Sequence, residues 1–288
     1  LRLYTSNLWQ DYVSPQAGLV LGYDHTNLAF SYARGVNYPS PVILQNSLGN
    51  KDLPGWLDTK EIKPEVVDHY EVSLTHEQPG LFNASATYFH DKGWDRFRAF
   101  MYGRLGAANY TDFFTSSASE YQIDGLELAG SVTPLDGLEI YGGATWLWAR
   151  AKGDDGKTQL KMPYTPSFAF QGGFKYRFLR DFQFSGDYQH LEGVYSGTSM
   201  RTASPAQPAS TFSRLTDNDR LNNIDVVNLR LDYFFSYDKL HLEEGRVFVG
   251  VDNLFDCKYG YTMEKQGNDH KLYYMPGTTF MAGFELKF

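Results

Sequence analysis

Seven histidines, one cysteine and one aspartate doublet are the first residues of this chain to weigh for bond-making or metal-holding chemistry. The histidines are His25, His69, His76, His90, His190, His241 and His270. None stands beside a serine in the pattern that a nucleophile–base pair uses. There is also no HExxH, paired CxxC, GxSxG or Gly-rich phosphate loop. His69 and His76 are an odd number of residues apart, so on one strand they point to opposite sides. Cys257 is the only cysteine, which excludes an internal disulfide, and it reads as a loop thiol. Asp154-Asp155-Gly156 has the residue types of a calcium loop, but two acids and a glycine are also ordinary turn chemistry. The expectation is no catalytic residue, no metal site and no cofactor.

The chain is rich instead in residues that alternate. From Thr278 to Phe288 the sequence is TTFMAGFELKF, with Phe280, Ala282, Phe284, Leu286 and Phe288 on one side and Thr279, Met281, Gly283, Glu285 and Lys287 on the other. A strand sends successive side chains to opposite faces, so one face is apolar and aromatic while the other carries the charge. Phe168, Phe170, Phe174, Tyr176 and Phe178 oppose Ala169, Gln171, Gly173, Lys175 and Arg177 in the same way. Val227, Leu229, Leu231, Tyr233 and Phe235 oppose Asn228, Arg230, Asp232 and Phe234. Phe182, Phe184 and Tyr188 oppose Gln183, Ser185, Asp187 and Gln189. About twelve such segments are predicted, an even number as bacterial barrels have: 1–8, 15–23, 26–35, 68–76, 80–102, 118–133, 137–150, 166–179, 181–192, 224–236, 245–253 and 278–288. The 80–102 segment is long enough to break near Gly93.

The connections alternate as well. Short ones fall at 24–25, 77–80, 134–137, 180–181 and 236–245, and long ones at 36–67, 103–117, 151–165, 193–223 and 254–277. Tight turns at one end and long loops at the other, on two-faced strands, describe a transmembrane antiparallel β-barrel. The composition agrees. The mean hydropathy of −0.43 and the lack of a long apolar run exclude a membrane-spanning helix, but a barrel hides from hydropathy because only alternate residues meet lipid. Tyr and Phe each number 21, a supply suited to aromatic girdles. The net charge of −8 argues against a nucleic-acid partner. The start, LRLYTSNLWQ, lacks the parts of a signal peptide and reads as though the chain begins inside a strand of a longer protein.

Several stretches together resemble the C-terminal barrel portion of TonB-dependent outer-membrane receptors. They are VDNLFD (251–256), PGTTFMAGFELKF (276–288), GLELAGSVTPLDGLEIYGGATW (125–146), IKPEVVDHYEVSL (62–74), SYARGVNYP (31–39) and MPYTPSFAF (162–170). In physical terms, Pro134-Leu135-Asp136-Gly137 is a tight reversal. Asn253 and Asp256 flank the point where a strand leaves the sheet and suit backbone capping. The resemblance implies that residues 1–288 are all barrel, the C-terminal part of one with about twenty-two strands, lacking its plug domain. It implies that Phe288 lies on the periplasmic side and that the long loops face outward.

The same resemblance implies active uptake of a scarce nutrient, an iron–siderophore complex first. The partners would be outer-membrane lipid and a TonB-type energy-coupling protein acting through the missing N-terminal region. The paired motifs of haem receptors find no match. For such a receptor, aromatic rings and arginines in the outer loops would hold a metal chelate by stacking, charge pairing and hydrogen bonds. The candidates are Tyr38, Trp56, Tyr110, Tyr195, Arg201, Arg214, Tyr261 and Tyr273. The alternative is a self-contained twelve-stranded barrel serving as a pore or an enzyme.

Overall fold

The computed structural model describes residues 1–7, 9–41, 63–102, 111–152, 159–162, 164–195, 220–237, 242–266 and 269–287. It is all β. One antiparallel sheet is built from β3 (Gln16–Tyr23), β4 (Thr26–Asn37), β5 (Glu65–Gln78), β6 (Phe82–Tyr102), β7 (Thr111–Leu135), β8 (Leu138–Lys152), β10 (Phe168–Phe178), β11 (Phe182–Glu192), β12 (Ile224–Tyr237), β13 (Leu242–Asp252) and β16 (Thr279–Lys287), joined in that order. A two-residue strand, β9 (Gln159–Leu160), adds to the end of β8. Two small ribbons stand apart: β1 (Arg2–Tyr4) with β2 (Tyr12–Ser14), and β14 (Thr262–Gln266) with β15 (Asp269–Tyr273). Among the described residues β3 and β16 are each paired on one side only. Among the described residues no helix is long and apolar enough to cross a membrane, which says nothing about crossing by strands.

Strands joined by tight turns pair with each other because those turns are too short for any other partner, and strands joined by the long loops pair with their neighbour in sequence as well. These turns use left-handed backbone at Asp24 (φ 52°), Gly80 (φ 74°) and Gly137 (φ 80°), and at the successive residues Leu179 (φ 48°) and Arg180 (φ 66°). Gly137 is the most constrained. Its carbonyl accepts a hydrogen bond from the Arg177 amide (2.7 Å), and a Cβ built there would run into the Arg177 carbonyl oxygen. Gly137→Ala is therefore expected to cost ~2 kcal/mol of stability through left-handed strain and that collision. A lowered unfolding midpoint in a urea titration of the detergent-solubilised protein would show it.

The registers fix the two faces. Reading across the sheet from β16, Phe280 lies opposite Val251, Val251 opposite Leu229, Leu229 opposite Gly186, Gly186 opposite Phe174, and Phe174 opposite Ile140. This face carries large apolar groups open to the surroundings, with Phe280 at 82% and Phe284 at 74% exposure. The other face carries Asn228, Arg230, Asp232, Gln171, Lys175 and Arg177 at alternate positions, as the period of two requires. Buried apolar groups are few. Tyr121, Ala151 and Met162 cluster with Val67, Ile123 and Ala149, and Val194 clusters with Leu221 and Leu272. Both clusters lie toward the long-loop ends of the strands.

Three expectations change. Of the predicted strand 1–8, the described residues 1–7 do not join the main sheet; among them only Arg2–Tyr4 is extended, and it pairs with β2 while Tyr4 packs toward Tyr38 (6.1 Å between centroids). The main sheet still has 12 strands because β9 takes the vacated place in the count. The segment 254–277 is not wholly a loop, since it contains the β14–β15 hairpin. There Gln266 pairs with Asp269 and leaves Gly267-Asn268 between them, a sequence suited to a two-residue reversal. Finally, β6 runs through Gly93, against which the Tyr121 ring packs, and its register slips later, between Arg96 and Phe97, beside the left-handed Asp95 (φ 57°). Phe288 and the doublet Asp154-Asp155 lie outside the described residues.

Candidate binding surface of the polar face and the long-loop end

The polar face is held together by charge and ring contacts between neighbouring strands. Asp232 on β12 is fully buried, and its Oδ1 accepts from Arg230 Nε (2.9 Å) and Arg246 Nε (2.8 Å). The Arg230 guanidinium lies 3.8 Å from the Phe248 ring centroid, Arg246 lies 5.7 Å from that of Phe234, and Arg177 lies 5.2 Å from Phe234 on its other flank. Arg246 Nη1 also approaches Glu285 of β16 (3.6 Å). The result is a ladder of alternating guanidinium and ring across β10, β12 and β13. Its carboxylate is hidden and about a third of each of the Arg230 and Arg246 side chains is exposed (32% and 31%). Further along the wall, Asn228 Nδ2 donates to Asp187 (2.8 Å), and His69 Nδ1 lies 2.6 Å from Asp91.

At the long-loop end, Asn253 and Asp256 tie the last loop to the sheet. Asn253 is buried and left-handed (φ 51°). Its Oδ1 accepts from the Cys257 amide (2.8 Å), its Nδ2 donates to the carbonyls of Cys257 (3.0 Å) and Pro276 (3.2 Å), and its own amide donates to Asn228 Oδ1 (2.9 Å). Thr278 closes the loop from the other side by donating to the Asn253 carbonyl (2.8 Å). Asp256 accepts from the Lys258 ammonium and from the Thr278 amide, and these contacts hold its carboxyl below the usual range. That contribution is present at neutral pH and is lost as the pH falls through the lowered value. The expected capping role of the pair is what the structure shows.

The predicted ligand residues separate into groups. Trp56, Tyr110, Arg201 and Arg214 lie outside the described residues. Tyr38 is packed among Trp9 (5.5 Å), Tyr4 (6.1 Å) and Tyr12 (6.3 Å), with its hydroxyl buried. Burial pushes that hydroxyl's pKa up, so Tyr38 serves as packing for the β1–β2 ribbon. Tyr195 receives a hydrogen bond from Lys161 Nζ (2.8 Å), which also sits over its ring (4.2 Å), and it bridges by backbone to Arg220. Tyr261 and Tyr273 flank the β14–β15 hairpin, 40% and 50% exposed. The hairpin is seated through Leu272 on Val194 and Leu221, so it lies beside the Tyr195 segment, whereas Tyr38 sits at the far edge of the sheet.

Sequence reasoning passes over Lys161, Tyr259 and Tyr274. Lys161 precedes the MPYTP stretch, and Tyr259 meets Tyr261 edge-on (5.8 Å), but neither follows an alternation. Exposed rings beside cations bind planar or anionic solutes; they do not make or break bonds. Among the described residues no group of three or more His, Cys, Asp or Glu is placed to hold a metal ion.

Residues 3–254 match the family model described as TonB dependent receptor-like, beta-barrel. No curated protein sequence matches the chain. Among solved structures, a variant of the ferric enterobactin receptor PfeA of Pseudomonas aeruginosa superposes with a TM-score of 0.69 at 18% identity, over 96% of this chain and 40% of that one. The copper transporter OprC gives 0.68 at 17%, over 96% and 39%. The ferric-catecholate import receptor Fiu of E. coli gives 0.64 at 16%, over 96% and 35%. The chain thus spans about two fifths of the length of these structures, and identities this low show the fold alone.

Proposed function

The chain belongs to the TonB-dependent receptor-like β-barrel family, whose members are transporters and not enzymes, and from that membership we propose that it forms the C-terminal part of the barrel of an outer-membrane receptor for a scarce nutrient, first an iron–siderophore complex. The observation that carries this reading is the two-faced sheet. Its apolar face suits lipid, and its polar face bears the guanidinium–ring ladder and leads to a long-loop end with exposed tyrosines. Structures of similar fold include receptors whose names specify ferric enterobactin and ferric catecholate, which supports the choice of ligand class. Capture would occur at the outer loops, and release into the lumen would follow when a TonB-type protein acts on the N-terminal region of the full receptor. A self-contained twelve-stranded pore or enzyme is the weaker reading, because residues 3–254 match the receptor barrel family.

Uptake of radiolabelled iron chelates by cells with and without the full-length gene tests the function. Uptake is expected to need both the gene and the energy-coupling protein; uptake independent of the coupling protein would sink the idea. Within that assay, replacing Tyr261 and Tyr273 together by alanine is expected to weaken chelate binding about tenfold, since each ring contributes ~0.5–1.5 kcal/mol by stacking. The half-saturating chelate concentration should rise while the amount of receptor in the membrane stays unchanged.

A further inference from the structure

The registers place one row of residues at a single height across β4 to β8 on the apolar face. Arg34 pairs with Asp68, Asp68 with Lys92, Lys92 with Gln122, and Gln122 with Arg150. The row toward the turns holds Tyr32, Tyr70, His90, Asp124 and Trp148, the next mixes rings with aliphatic groups (Phe30, Val72, Tyr88, Leu126 and Trp146), and the row beyond is aliphatic (Leu28, Leu74, Ala86, Leu128 and Ala144). The face therefore passes from alkyl groups to aromatic and phenolic groups and then to charge, all within one surface.

The charged row is asymmetric in exposure. Arg34 binds Asp68 in a two-pronged pair (2.7 Å on each oxygen), with 37% of the cation's side chain exposed against 10% of the acid's. Arg150 meets Asp124 at 3.2 Å, 64% against 19%. Lys92 and Lys152 share Glu120, at 41% and 43% against 24%. In each pair the carboxylate backs the cation from beneath while the cation faces outward. The surface presented here is positive although the chain as a whole carries −8. Tyr32 and Tyr88 donate to the same carboxylates (2.9 and 2.8 Å) and stiffen the arrangement. Immediately on the turn side of this row lies a groove of about 470 Å³, with Leu19, Phe30 and Val72 as its apolar part and Tyr32, Tyr70 and Tyr88 at its polar end.

We propose that this outward surface is a binding site for a phosphate-bearing membrane lipid, with an acyl chain in the groove and the phosphate against Arg34, Lys92 and Arg150. Charge complementarity selects the occupant: an apolar groove ending under exposed cations matches an amphiphile whose anionic head sits one row above its tail. A soluble anion would have no use for the groove, and a neutral lipid none for the cations. The proposal rests on the reading that the apolar face meets lipid.

The test uses the full-length receptor. Insertion into dimyristoylphosphatidylcholine vesicles is checked first, by protease protection and by the folded, heat-modifiable band on a gel. Binding of dioctanoyl phosphatidate is then compared with dioctanoyl phosphatidylcholine by thermophoresis in detergent. The phosphatidate is expected to bind about tenfold more tightly. The preference should vanish when Arg34, Lys92, Arg150 and Lys152 are all replaced by glutamine, and it should survive in the charge-keeping R34K/R150K variant. Failure to insert would overturn both the membrane reading and the site. Insertion with equal affinity for the two lipids would overturn the site alone. Inorganic phosphate displacing the phosphatidate as effectively as the lipid competes with itself would also overturn the site, by leaving the groove without a role. The wild-type comparison stands even if the fourfold variant does not fold.

Discussion

Replacing Asp232 by alanine is expected to cost the folded barrel ~3–5 kcal/mol, a large part of what any domain has to spare. The side chain is fully buried between Arg230 and Arg246, and both guanidiniums aim an Nε at one oxygen, Oδ1 (2.9 and 2.8 Å). Removing the carboxylate leaves two half-buried cations facing each other, with the Phe248 and Phe234 rings and, for Arg246, the exposed Glu285 carboxylate as nearby compensation. Asp232→Asn retains an acceptor but no charge, so a smaller loss is expected. Replacing all three residues by apolar ones of similar volume removes the cations along with their partner, and stability should largely recover. Unfolding by guanidinium chloride in detergent, followed by tryptophan fluorescence, measures the series. Equal stability of the alanine variant and the native protein would show that the ladder does not hold the wall together.

Asn253→Ala is expected to cost ~2–4 kcal/mol and to disturb ligand binding as well. Three side-chain hydrogen bonds disappear, leaving the Cys257 amide and the Pro276 carbonyl short of partners at a buried site. The left-handed backbone (φ 51°) adds strain that asparagine tolerates better than alanine. Asn253→Gly removes that strain without restoring the hydrogen bonds, so it should fall between alanine and the native residue. The functional effect comes from position: Asn253 anchors both ends of the loop that carries Tyr261 and Tyr273. Chelate affinity should drop about tenfold in Asn253→Ala, as is expected when both rings are removed. If unfolding shifts while binding does not, the loop is held by its seat on Val194 and Leu221 instead.

The strands were legible because a period of two leaves each side chain only one of two directions. In 224–236 the alternation of Val227, Leu229, Leu231, Tyr233 and Phe235 with Asn228, Arg230, Asp232 and Phe234 is already a statement about faces, and the structure keeps every assignment. Arg230 beside Asp232 could be paired from spacing alone. Arg246 could not, because its arrival at Asp232 depends on the pairing of Leu231 with Val249 across the next turn. The β14–β15 hairpin does not show in the sequence because Thr262–Gln266 is mixed and charged and follows no alternation. At 1–8 the opposite error arose. Leu1, Leu3 and Tyr4 suggested a sheet strand, but the extended part ends after three residues and its ring packs locally.

By itself the sequence determined the all-β class, the two faces of most strands, the alternation of turns with loops, and the lack of any catalytic motif. Those properties are local: they follow from the direction of successive side chains and from the few residues that reverse a chain tightly. The tertiary structure alone decided the fate of identical residue types. Tyr38 became packing and Tyr273 stayed open; Asp232 was buried between two cations, and Arg34 was turned outward over a hidden carboxylate. Burial and cross-strand partnership depend on register and on which strands are neighbours, which no single strand's pattern contains.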